Sequence, residues 1–235
     1  MAGPKHFGIL CQGVPAWNRW RAENPDERPN LSLADLISVD LTGANLSRSD
    51  LTMGDLRGAL LLDADLTGAD LRGADLRDAL LHRVKLDGAI LRDANLRYAD
   101  LSGETLEGVD FGYANLSGAN LSGAKLRGAN LHGANLKSAI LAGADLRSAR
   151  LSLANLGQAN LAGADLSGAR MSLANLSGTD CREAILAGAD LHDADMSSAN
   201  LAGADLTDVL FGVVSPLRRE LLWVGAKRFG SSPLA

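Results

Sequence analysis

The sequence predicts an all-β fold: a β-helical solenoid running from about Leu31 to Phe211. Three observations predict it. Stepping by five from Leu31 meets Leu at every centre, except Phe111, Met171, Cys181, Met196 and the final Phe211. Two residues before each centre the side chain is small, mostly Ala. The residue just before the centre is mostly Asp or Asn, and the residue two after is often Gly, as at Gly58, Gly68, Gly118 and Gly163.

A period of five excludes the common alternatives. On an α-helix it would walk the Leu residues around every face. On one straight strand it would send successive Leu residues to opposite faces. A short extended piece followed by a corner keeps the centre and the residue two before it on one side, inward. Gly tolerates the positive φ that a corner needs. Asp and Asn side chains bond nearby backbone amides and favour turns.

The repeating unit A-[DN]-L-x-x resembles the pentapeptide-repeat family, and its register holds over about three-quarters of the chain. The resemblance implies a right-handed quadrilateral β-helix with four pentads to a coil. Residues 31–211 then make about nine coils, a rod about 43 Å long at the usual strand spacing. A filled Leu/Ala interior leaves no room for a ligand channel.

Different sequence flanks the repeats, so residues 1–30 and 212–235 are expected to cover the two open ends, whose unpaired edges would otherwise invite association. Phe7, Ile9, Leu10, Val14, Trp17 and Trp20 suit an N-terminal helical cap, and WNRWRAENP resembles a cap found in bacterial members of the family. Ser215 and Pro216 read as the N-cap and first residue of a C-terminal helix, PLRRELLWVGAKRF. That helix is expected to act as a second cap or, as in some family members, as a homodimerisation element.

The 235 residues carry a net charge of −5 and only 4% aromatic residues, too few for an ordinary core. The modest acidity argues against a general nucleic-acid binder. Cys11 and Cys181 form no disulfide framework, which points to a reducing compartment. The sequence shows neither a signal peptide nor a long apolar run, so a cytoplasmic protein without a membrane partner is expected.

Coils of twenty residues stack i on i+20, which turns the sequence into a map of four walls. Arg57, Arg77 and Arg97 stack on one wall, with Lys137 two coils on. They suit an acidic partner, or they pair with Asp55, Asp75 and Asp78 as a solvated face. Leu60 and Leu80 replace the usual Asp or Asn and stack, with Leu62 beside them. Leu153 and Leu173 stack at an outward position in the column of Met53 and Leu33. Such apolar spots on a polar wall are candidate partner contacts. Glu104 breaks the interior rule by standing in the small inward slot. Burying its carboxylate is costly, so the coil is expected to bulge and release it to solvent.

No catalytic, cofactor or metal site is expected. His82, His132 and His192 point outward and lie too far apart to share an ion. Cys181 replaces a core Leu. The phosphate-loop, dinucleotide, zinc-protease and nucleophile-elbow motifs are absent. The Asp residues follow the turns rather than any acid–base pairing. A non-enzymatic interaction or scaffold protein is the first expectation. The resemblance supplies an alternative, a DNA mimic that binds DNA gyrase and protects it from quinolones. Residues 31–110 carry 15 Asp and Glu against 8 Lys and Arg, and residues 165–211 carry 8 against 2, which fits that alternative. Residues 111–164, with one acid against five bases, do not.

Overall fold

A computed structural model describes residues 3–212. From Asn30 to Phe211 the chain winds as a solenoid in which the residue before most centres forms a parallel bridge with the residue twenty positions on, as in Asn115↔Asn135 and Asn135↔Asn155. Four pentads therefore complete one turn. The extended segment of each pentad is so short that pairing consists of single-residue bridges. Among the described residues only Asp190–Leu191 (β1) and Leu210–Phe211 (β2) extend to two residues, paired parallel.

Most pentads repeat one hydrogen-bond scheme. The centre and the residue two after it donate forward to the next coil, as in Leu116 N–H to Asn135 C=O at 2.7 Å and Gly118 N–H to Lys137 C=O at 2.9 Å. The residue before the centre donates backward, as in Asn120 N–H to Ala99 C=O at 3.0 Å. Within the corner, Ala119 N–H closes a turn onto Leu116 C=O at 3.0 Å.

The residue two after the centre is left-handed at every corner from Leu33 (φ 59°) to Asp208 (φ 55°). A turn with positive φ at its third residue explains why Gly recurs there. The positive φ also costs something wherever another residue occupies the corner.

The centres and the small residues before them fill the interior, and from Leu41 to Ala189 nearly all are fully buried. Phe111, Met171 and Cys181 stand in for Leu without reaching solvent. Thr179 occupies an Ala slot and satisfies its hydroxyl on Leu176 C=O at 2.7 Å.

Two helices, α1 (Pro4–Leu10) and α2 (Val14–Glu23), precede the coils. Trp17 is fully buried and its indole N–H donates to Asn45 C=O at 2.8 Å. Asn18 accepts from Asn45 N–H at 2.8 Å, and Arg21 donates to Ser47 C=O at 2.9 Å. These groups take the places that a preceding coil would occupy on the first open edge. Leu10 and Trp17 both join the buried core, with Phe7, Ile9, Val14 and Trp20 partly buried against it. The expected C-terminal helix lies outside the described residues. No helix among them is long and apolar enough to cross a membrane.

Candidate functional site

The interior is almost wholly apolar, with Ser49, Glu104 and Thr179 as polar exceptions in the small inward slot, and most polar side chains stand on the walls. Their grammar is local. The Asp or Asn before each centre accepts the backbone N–H of the residue after it, as in Ser177 N–H to Asn175 Oδ1 at 2.9 Å. Where Arg follows the centre, the same carboxylate also grips its side chain.

Two residues of the arginine ladder follow that grammar and pair within the wall, the second of the two readings the sequence offered. Arg57 binds Asp55 through two side-chain contacts of 2.8 and 2.7 Å, and Arg77 binds Asp75 likewise. Arg72, Arg147 and Arg182 repeat the arrangement with Asp70, Asp145 and Asp180. The Arg hydrogen bond holds the carboxyls of Asp55, Asp145 and Asp180 below the usual Asp range. Arg97 follows Asn95 and has no carboxylate of its own. Its guanidinium lies 4.8 Å over the Tyr98 ring and 3.0 Å from the phenol oxygen.

Leu60 and Leu80 are bridge partners, with Asp40 before and Asp100 after them in the column. Leu60 and Leu62 are half-buried, while Leu80 is 48% exposed. Of the three, Leu80 alone is exposed.

Leu153 and Leu173 stack on another wall, 51% and 56% exposed. Both hold left-handed corners, at φ 62° and 59°, which a branched side chain rarely adopts. Met53 and Leu33 share their column, but Gly73, Asp93, Tyr113 and Gly133 intervene. Met53 instead lies over Gly73, where an added Cβ would meet its sulfur.

The same wall holds residues that motif reading missed. Arg150 and Arg170 occupy the Asp/Asn slot and are direct bridge partners, so two like charges stack. Both side chains are exposed, and neither makes an ion pair or side-chain hydrogen bond with any described residue. Tyr113 meets His132 edge-on at 5.4 Å and Arg92 at 5.5 Å. The signal for Arg150 and Arg170 was the i, i+20 step applied to the slot before the centre.

Glu104 departs from expectation. It stays buried, 8% exposed, and its Oε1 accepts Arg83 N–H at 2.8 Å with His82 Nδ1 at 3.5 Å. The amide bond offsets the cost of burial, so the carboxylate does not swing out. The coils part instead. Among the described residues the bridge series runs Asp65↔Lys85 and resumes at Thr105↔Lys125, with none between Lys85 and Thr105.

No group of three or more His, Cys, Asp or Glu among the described residues is placed to hold a metal. Cys181 is buried and Cys11 exposed, both free.

The family model described as "Pentapeptide repeats" matches in eight copies, covering residues 30–52 and 54–212. Comparison with curated proteins finds no match. Among solved structures, the chain is similar to HetL of the cyanobacterium Nostoc sp. strain PCC 7120, a pentapeptide-repeat protein involved in heterocyst differentiation regulation. It is 33% identical with a TM-score of 0.63, covering 84% of this chain and 97% of HetL. Rfr23 of the cyanobacterium Cyanothece 51142 is 30% identical with a TM-score of 0.46, over 48% of this chain and 90% of its own. QnrB1, a plasmid-mediated fluoroquinolone resistance protein, is 24% identical with a TM-score of 0.39, over 79% and 90%.

Proposed function

The chain belongs to the pentapeptide-repeat family, and we propose that it is a non-enzymatic scaffold whose patterned outer walls bind another protein in the cytoplasm. One observation carries this reading. The interior obeys the repeat rule almost throughout, while departures with chemical character cluster on the walls, above all at Arg150, Arg170, Leu153 and Leu173. A regulatory role through contact fits the likeness to HetL, a protein involved in differentiation regulation.

The finer architecture belongs to the same proposal: about nine right-handed coils over residues 31–211, with α1 and α2 as the cap of the first. Residues 212–235 form the second cap or a dimerisation element. Truncation at residue 212 followed by size-exclusion with light scattering separates those roles.

The gyrase reading draws less support. A DNA mimic needs free carboxylates, and Asp55, Asp70, Asp75, Asp145 and Asp180 are each held by a neighbouring Arg.

The test is affinity capture from the native host, then reconstitution of a stoichiometric complex from purified components. A defined complex is expected. Failure of every captured protein to re-form a complex with the purified chain overturns the scaffold reading.

A further inference from the structure

Resting on the scaffold reading, we propose that the wall formed by Arg150, Arg170, Ser152, Ser172, Leu153 and Leu173 is a docking face for an acidic amphipathic helix of a partner protein.

Arg150 and Arg170 displace a side-chain acceptor that most other pentads keep. At most pentads an Asp or Asn carbonyl or carboxylate oxygen covers the N–H of the residue two on, as Asp165 Oδ1 covers Ser167 N–H at 2.9 Å. Arg150 and Arg170 cannot accept. Among the described residues, the amides of Ser152 and Ser172 consequently have no hydrogen-bond acceptor. The wall thus offers two outward amides and two unpaired guanidiniums in stacked pairs. A carboxylate from outside would fill the place that the chain's own side chain leaves. The nearest acid in the column, Asp190, is already engaged by the Ser172 hydroxyl at 2.7 Å and by His192 at 2.6 Å.

Spacing and flanks choose the occupant. Stacked coils are about 4.8 Å apart, and a helix rises about 4.5 Å over three residues, so acids three apart on a helix match successive rungs. The three residues from Arg150 to Leu153 span at most about 11 Å, close to the diameter of a helix with its side chains. Leu153 and Leu173 line one margin and the arginines the other, so the helix needs an apolar stripe beside its acidic one.

Nucleic acid fits less well. The basic region is short, and a continuing phosphate backbone would run onto the acidic coils of residues 31–110 and 165–211. A phosphate chain also has no use for two exposed Leu side chains.

The experiment uses the full chain and three labelled probes: an amphipathic peptide with Glu pairs three apart beside a Leu stripe, its Gln counterpart, and an oligothymidylate. The variant is Arg150→Asn with Arg170→Asn, which restores the repeat's own residue and removes a like-charge stack, so it is expected to melt no lower than the parent. The Glu peptide should bind, shift the amide resonances of Ser152 and Ser172, and lose about tenfold in affinity in the variant. Equal binding of the Gln peptide, or unchanged affinity in the variant, overturns the proposal. Tighter binding of the oligothymidylate, lost in the variant, reassigns the face to nucleic acid and also overturns it. A reconstituted host complex that survives the double substitution defeats this face and leaves the scaffold reading standing.

Discussion

Glu104 Oε1 takes the backbone N–H of Arg83 at 2.8 Å. Elsewhere in the walls a donor at that corner goes to the carbonyl nineteen residues on, as Gly103 N–H goes to Ser122 C=O. The carboxylate has entered the ladder as a substitute acceptor, and among the described residues the amides of Leu81 and Leu86 lose their partners on the next coil. Glu104→Ala restores the small residue and lets the rungs close. We expect it to stabilise the protein by about 1–2 kcal/mol in urea unfolding and to slow hydrogen exchange at Leu81, Arg83 and Leu86. A less stable variant would show that the carboxylate holds the coils together.

Leu153 and Leu173 strain two corners while exposing half their surface. Leu153→Gly and Leu173→Gly should each raise stability by about 1 kcal/mol, since Gly adopts the left-handed corner freely and little apolar burial is lost. Thermal melting measures the gain. Destabilisation by either substitution would mean that these side chains pack on the wall more than their exposure indicates.

Burial pushes the Cys181 thiol up to about 11. A thiol reagent near pH 8 should therefore modify Cys11 alone in the native protein and reach Cys181 only in denaturant. Labelling of both residues without denaturant would contradict the closed interior.

The carboxyls of Asp55, Asp145 and Asp180 titrate below the ordinary Asp value because an Arg hydrogen-bonds each of them. A depressed folded value contributes stability above about pH 4, and that contribution is lost as pH falls through the folded values. Stability should be level above about pH 5 and decline below about pH 4. High salt should shrink this decline, because the pairs are exposed. Acid titration followed by circular dichroism checks both.

A supercoiling assay with DNA gyrase and a quinolone should show neither inhibition nor protection at micromolar protein. Protection would restore the DNA-mimic reading.

The inside of this molecule was legible because one rule governs it. A Leu every five residues, with Ala two before it, leaves a single arrangement that buries both. The walls were less legible, since an outward residue is constrained mainly by its neighbours. For Arg57 and Arg77 the sequence left an acidic partner and self-pairing both open, and the contacts with Asp55 and Asp75 show the pairing. Arg150 and Arg170 carry no motif and emerge only as a stacked pair. Glu104 was visible as an exception, but the Arg83 amide that donates to it belongs to another coil.

The twenty-residue register separates two properties that most folds bind together. Deleting one pentad would leave every Leu centre inward and the interior intact. Everything beyond the cut would nevertheless turn by a quarter revolution about the rod. Leu60 and Leu80 would come to lie above a different column, while Arg150, Arg170, Leu153 and Leu173 would keep their mutual arrangement. Orientation between distant walls is therefore set by an integer, the number of pentads between them. Such a chain can re-aim one surface against another in ninety-degree steps without disturbing what holds it folded.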